Sequence, residues 1–188
     1  MINRPEIVLL ARTWLGTPYH HQASCRGAGA DCIGLVRGIY RELYGREAQA
    51  PPAYTHDWAE ASGQEALLEA ARRHLVEIAP SEAAPGCVLV FRYRGATIAK
   101  HVAIMATPHT MIHALEGAPV CEIALSPWWH RHLAGAFAFP AAPPSPRSSR
   151  GEGRGEGQPH TAAQVSAPHP DPLPMPEEAW GEGMVGGC

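Results

Sequence analysis

The stretch Ala30-Asp31-Cys32-Ile33-Gly34-Leu35-Val36 decides how this chain is read. Asp31 is a good helix N-cap. Beyond it Ile33, Leu35, Val36, Ile39, Tyr40, Leu43 and Tyr44 recur at helical spacing, and Gly45 supplies a stop. A central helix is therefore expected from Cys32 to Tyr44, with the cysteine in its first turn. Unpaired N–H groups and partial positive charge collect there and favour thiolate over thiol, as a nucleophile needs. Gly34 and Gly38 are costly inside a helix and lie one turn apart, which predicts close approach of another backbone.

Upstream, Ile7, Leu10, Ala11, Trp14 and Leu15 make one apolar helical face, with Asn3 as cap, Glu6 completing a capping box and Gly16 as stop. A third helix is expected over residues 64–76 with Leu67, Leu68, Ala71 and Leu75 inward. Strands follow at 87–93, 101–105, 111–115, 120–125 and 134–139, punctuated by Pro85-Gly86, Arg94-Gly95 and Thr107-Pro108-His109-Thr110. Helices first and strands after predict an α+β fold with an antiparallel sheet of about five strands.

A cysteine nucleophile needs a base within hydrogen-bond reach, and the base needs a polar partner to fix its tautomer. His101 and His113, each in a strand, are the candidates, and a second histidine can serve as the orienting group. Register tests the pair. A four-residue loop at 107–110 pairs residue 106 with 111 and turns His101 away from His113, because strand side chains alternate. An odd loop, or a bulge, puts both on one face, diagonal to each other. We expect that odd count. The alternative is a small buried cysteine and two structural histidines.

The 188 residues suit one domain with an appendage, and the formal charge of −3 brings no basic stripe for nucleic acid or anionic lipid. Met1 to Ala11 lacks a signal-peptide core, and no run reaches membrane-spanning length, so synthesis and folding in the cytoplasm are expected. The five cysteines are irregularly spaced, and no disulfide framework is expected. Composition changes near Pro140. The Pro- and Gly-rich residues 140–188 read as a disordered tail, with domain 1–139 before it. Its GEG-rich and Pro-His-Pro-Asp-Pro-Leu-Pro segments resemble translated palindromic repeats; a linker or docking tail is the alternative.

Four separated segments carry a family resemblance: Ala11 to Tyr19, Asp31 to Gly38, Lys100 to Met105 and Met111 to Ala114. Over residues 1–139 the chain resembles the NlpC family of papain-like cysteine peptidases. It is most similar to the branch carried by prophages and gene transfer agents as a cell-wall peptidase. The resemblance implies a papain-like fold, Cys32 as nucleophile, His101 as base and His113 as orienting residue. It also implies Tyr19 lining the substrate site and Asp31 binding a free amine of the stem peptide, a plain cap being the other reading of Asp31. The implied substrate is a peptidoglycan stem peptide, with phage-like tail proteins as partners, action on the cell wall, and no metal or organic cofactor. Ile33 stands where many members have Ser, and Cys87 where many have Asp.

Other residues have weaker claims. His20-His21 read as a solvated turn, and Cys25 could pair with Cys32. Cys121 reads as core. Trp128-Trp129 line a groove or pack on the sheet edge, and His130 and His132 flank them without an evident partner. Competing functions are an inactive structural tail-tip protein, an acyltransferase on the same scaffold, and a zinc site from Cys32, His101, His113 and Cys121. No CxxC or HxxxH spacing supports the last.

Overall fold

The computed structural model describes residues 4–49, 65–92 and 98–141. Asn3 and Gln64, and all but the first two residues of the expected tail, lie outside these. Helix α1 (Arg4–Arg12) buries Ile7, Val8 and Ala11. It stops earlier than its periodicity predicts. Trp14 N–H donates to the Ala11 carbonyl at 3.0 Å and Leu15 N–H to that of Arg12 at 3.2 Å, and Gly16 takes a φ of 79°. These tight turns leave Trp14 fully buried but rotate Leu15, expected on the same face, out to 41% exposure.

A short hairpin, β1 (Ser24–Cys25) and β2 (Gly29–Ala30), leads into α2 (Cys32–Tyr44). Asp31 caps α2 as expected, its side chain accepting from the Gly34 amide, and Gly45 closes it at a φ of 68°. The two helix glycines have different reasons. A Cβ on Gly34 would lie 1.7 Å from the Ala23 carbonyl oxygen, so the predicted backbone approach is real there. A Cβ on Gly38 would lie 2.1 Å from the indole of Trp14, so at that position the close neighbour is a side chain, not a backbone. Helix α3 (Ala66–His74) buries Leu67, Leu68 and Ala71.

The strands are β3 (Val76–Ile78), β4 (Val88–Arg92), β5 (Ala99–Thr107), β6 (Thr110–His113), β7 (Cys121–Ala124) and β8 (Leu133–Ala138). They form one antiparallel sheet in the order β3-β8-β4-β5-β6-β7. The fold is α+β, as expected, with one strand more than expected. Strand β3 is a three-residue edge that follows closely on α3, where the sequence predicts helix through residue 76. A further short helix, α4 (Pro127–His132), connects β7 to β8 and was not foreseen.

Both faces of the sheet are covered. On one, Val88, Val90, Val102, Ile104 and Ile112 meet the helices through Ile7, Trp14, Leu35, Ile39 and Leu68. On the other, Leu89, Phe91, Ala103, Met105 and Met111 meet Leu125 and Trp129. Double-sided burial explains why β4 and β5 are nearly unbroken apolar runs rather than alternating ones. Trp128-Trp129 therefore sit on α4, and Trp129 packs on the sheet's face rather than its edge. The Arg12–Glu122 pair, at 3.0 and 3.2 Å, ties α1 to edge strand β7. Being partly exposed, it contributes under about 1 kcal/mol.

The Gly34 contact gives a direct test. Gly34→Ala must push the Ala23 segment off α2, at a cost of about 3 kcal/mol. Gly45→Ala pays only for a left-handed residue, about 1 kcal/mol. Urea unfolding of both variants checks the order; equal losses would refute the close approach at Gly34.

Candidate active site

Cys32 begins α2, and the backbone amides of Val102, Ile33 and Cys32 itself act on its sulfur to favour the thiolate. Gly34 N–H is taken by Asp31 Oδ1 at 2.7 Å and Leu35 N–H by the Asp31 carbonyl at 2.9 Å. The Cys32 and Ile33 amides are thus the helix-terminal donors that face the sulfur. The contact to Val102 brings the helix terminus against β5, one residue along from His101.

These amides favour thiolate, but they do not prevail. Burial, then the neighbouring Asp31 charge, push the Cys32 thiol up to about 12 from 9.0. That difference is worth about 4 kcal/mol against the thiolate, whereas a helix terminus contributes at most about 2 kcal/mol. The helix-start amides act in the expected direction, toward thiolate, but burial and the Asp31 charge outweigh them.

A stitched loop holds this turn. Tyr19 bridges to Ala30, with Ala30 N–H donating to the Pro18 carbonyl at 3.0 Å and His20 N–H to that of Ala30 at 3.2 Å. Ser24 Oγ donates to the Gly34 carbonyl at 2.7 Å. Arg41 donates to the Ser24 carbonyl at 2.7 Å and pairs with Glu47 at 2.9 Å. Asp31 is buried, and both its oxygens accept amides, Oδ1 from Gly34 and Oδ2 from Gln22 at 2.7 Å. The Tyr19 side chain is half-buried close to Cys32. Burial, then Cys32, Asp31 and Glu116, raise its pKa.

His101 and His113 are brought together. His101 Nε2 and His113 Nδ1 are 3.0 Å apart, both residues are buried, and the ring planes are nearly perpendicular at 86°. The register device is a bulge. Thr107 pairs with Thr110 around the two-residue turn at Pro108-His109, but Met105 pairs with Met111, so Ala106 is the extra residue that puts both rings on one face. The Thr107 and Thr110 hydroxyls bond each other at 2.7 Å, and His109 N–H donates to Thr107 Oγ1 at 3.1 Å, which fixes the turn. Burial, and then His113 beside it, hold His101 well below its ordinary value. Burial lowers His113 to about 4.

Remaining candidates fall around this core. His21 is not merely solvated: its Nδ1 lies 3.7 Å from Asp31 Oδ2. The His20 side chain covers Gly29. Cys25, Cys32 and Cys87 are free thiols, whereas Cys121, expected to be unpaired core, is buried and disulfide-bonded. His132 is engaged by Trp128, stacked at 4.0 Å and bonded to its carbonyl at 2.7 Å. Trp129, read from the sequence as lining a groove or packing on the sheet edge, lies against the histidine pair, a contact the sequence did not indicate: its ring centroid is 5.4 Å from that of His101 and 5.8 Å from that of His113. Only its neighbour Pro127, a helix-starting residue after Ser126, hinted at α4. Among the described residues no group of three or more His, Cys, Asp and Glu is disposed to hold a metal ion. No helix among them is long and apolar enough to cross a membrane.

A cysteine at a helix start, with paired histidines on β5 and β6, is matched at the level of the whole domain: the NlpC/P60 family model covers residues 16–137. The chain belongs to the NlpC/P60 family. A comparison with curated proteins finds no match. Among solved structures the chain is similar to the NlpC/p60 domain of peptidoglycan hydrolase SagA. Identity is 25%, over 73% of this chain and 100% of that one, with a TM-score of 0.51. It is also similar to an NlpC/P60 family protein from Bacillus cereus ATCC 10987, at 20% identity and a TM-score of 0.53, over 73% of this chain and 40% of that one. NlpC2 from Trichomonas vaginalis gives 20% identity and a TM-score of 0.50, over 72% of this chain and 46% of that one. The chain spans less than half the length of these last two, and they show the fold alone.

The NlpC/P60 domain's buried histidines predict how its stability varies with pH. His113 holds no proton in the native state until about pH 4, whereas the unfolded chain takes one at 6.5. Between those values the unfolded state binds more protons, so stability is full above about 6.5 and falls as pH drops toward 4. His113 alone accounts for about 3 kcal/mol of that loss, and His101 adds in the same direction. Thermal melts from pH 7.5 to 4.5 should show the decline, and His113→Asn should flatten it. An unchanged slope in the variant would contradict the buried, neutral pair.

Proposed function

We propose that this domain is a cysteine endopeptidase of the cell wall that cuts peptide bonds in peptidoglycan stems. Cys32 is the nucleophile, His101 the base and His113 the orienting residue. The observation that carries this is the 3.0 Å bond between the two imidazoles on β5 and β6, with the Val102 amide on β5, next to His101, acting on the Cys32 sulfur. Family membership and the similarity to the SagA hydrolase domain support the substrate class.

His101 engages His113 through Nε2, which leaves Nδ1 for the thiol. For Nδ1 to accept a proton, the ring's own proton must sit on Nε2 and point to His113 Nδ1, so His113 carries its proton on Nε2. The resting pair is thiol and neutral imidazole. As the substrate carbonyl arrives, the thiol proton passes to His101 Nδ1 and the sulfur bonds to the carbonyl carbon. The oxyanion is held by the Cys32 and Ile33 amides. Collapse breaks the C–N bond, His101 gives its proton to the leaving amine, and a thioester remains. Water, deprotonated by His101, then attacks the thioester and releases the acid and the Cys32 thiol.

Tyr19 lines the substrate path beside the sulfur. Of the two roles open to Asp31, its bonds support the cap, through which it fixes the nucleophile's turn. The similarity of the motifs to the prophage and gene-transfer-agent branch supports a place in a phage-like tail, acting on the wall on delivery. Residues 140–188 are then a Pro- and Gly-rich tail outside the domain.

Release of soluble fragments from purified peptidoglycan, identified by mass spectrometry, tests the reading. Cys32→Ala and His101→Ala should each lose about 10³-fold or more, and His113→Ala about 10- to 100-fold. Equal release by wild type and Cys32→Ala would rule out cysteine catalysis.

A further inference from the structure

We propose that Trp129 is a positioning residue for His101: its ring fills the corner between the two perpendicular imidazoles and holds the base's ring plane while keeping water from the bond between them. The proposal rests on the assignment of His101 as the base. The geometry is specific. Trp129 is fully buried, inclined 34° to His101 and 88° to His113, so it lies broadly along one ring and edge-on to the other. Phe91, paired with His101 across β4 and β5, sits 6.2 Å from it at 32° and touches Trp129 at 4.9 Å.

The need for such a wall follows from the hydrogen bonding. A bond between neutral imidazoles supplies only about 1 kcal/mol net. It leaves His101 able to rotate about its side-chain torsions unless packing opposes it. Correct aim of Nδ1 matters more, because general-base efficiency falls steeply with misplacement. Helix α4 has only six residues and delivers this one ring to the opposite face of the sheet from α2. Trp128, next along, packs on Trp129 at 4.9 Å and 88° and backs it from outside.

The test uses the full chain and the alkylation of Cys32 by iodoacetamide, with the rate at Cys32 read by peptide mass spectrometry because Cys25 is also exposed. Trp129→Leu should slow alkylation about tenfold and lower kcat on peptidoglycan similarly, with KM little changed. Trp129→Phe, which keeps a ring in place, should recover most of the rate. Phe137→Leu, a fully buried aromatic in the core on the other face, controls for lost packing. In a His101→Asn background Trp129→Leu should have no further effect on alkylation. The proposal is overturned if Trp129→Leu slows alkylation no more than Phe137→Leu, or if its effect persists without His101. If Trp129→Leu does not fold, Trp129→Met, which also removes the ring, decides by the same rule, alone and in the His101→Asn background. A wild type whose alkylation depends on His101 and Trp129 but which releases nothing from peptidoglycan would sink the substrate reading and leave the positioning role standing.

Discussion

One extra residue in a strand governs the site. The turn at Pro108-His109 sets Thr107 opposite Thr110, and if that register ran on, His113 would lie opposite Ile104 and face the helices, away from His101. Ala106 breaks the count. Past it Met105 meets Met111 and Ile104 meets Ile112, so His113 falls beside Ala103 and His101 two residues further along the same face. Strand alternation has a period of two, so there is no intermediate outcome: either the imidazoles share a face or they do not. The threonine hydroxyls that lock the turn, and Glu122, which accepts from Thr110 at 2.7 Å, hold the register in which the bulge must form.

The Cys32 end of α2 is held by a different constraint, the absence of a side chain at Gly34. It lets the Ala23 carbonyl lie against α2, and with it the loop that carries Tyr19 and Ser24. Asp31 contributes twice and in opposite directions. As a cap it organises the first turn, so the Cys32 and Ile33 amides aim at the sulfur. As a charge it opposes the thiolate those amides would favour. A group that orders the helix start thus also disfavours the charged form of Cys32.

Much of this was legible in the sequence because it obeys local rules. The cap at Asp31, the stop at Gly45, the faces of α2 and α3 and the sheet's antiparallel strands follow from spacing and turn residues. The odd register between His101 and His113 could be demanded from the sequence but not located, since nothing in Ala106 distinguishes it from its neighbours. What local patterns missed depends on tertiary packing. Strand β3 is three residues long and exists because β8 offers an edge. Leu15 looked buried by spacing, but α1 had already tightened into turns. Trp129 looked like any aromatic near a sheet, because its value lies in rings from strands distant in the chain.

The protonation state follows from the same packing. A sheet covered on both faces puts His101 and His113 where an imidazolium is poorly solvated, so both are neutral at physiological pH. The thiol is neutral for a parallel reason. A resting thiolate–imidazolium pair would place two opposite charges in this apolar setting, where desolvation of each ion costs several kcal/mol and their attraction returns only part of it. A neutral pair avoids that cost until a carbonyl arrives. In the proposed reaction charge then develops at the oxyanion, taken up by the helix-terminal amides, and at the imidazole, whose Nε2 faces His113 Nδ1. Burial that disfavours the ions at rest also strengthens both of those hydrogen bonds once charge appears, because the low dielectric that penalises an unpaired ion amplifies a paired one.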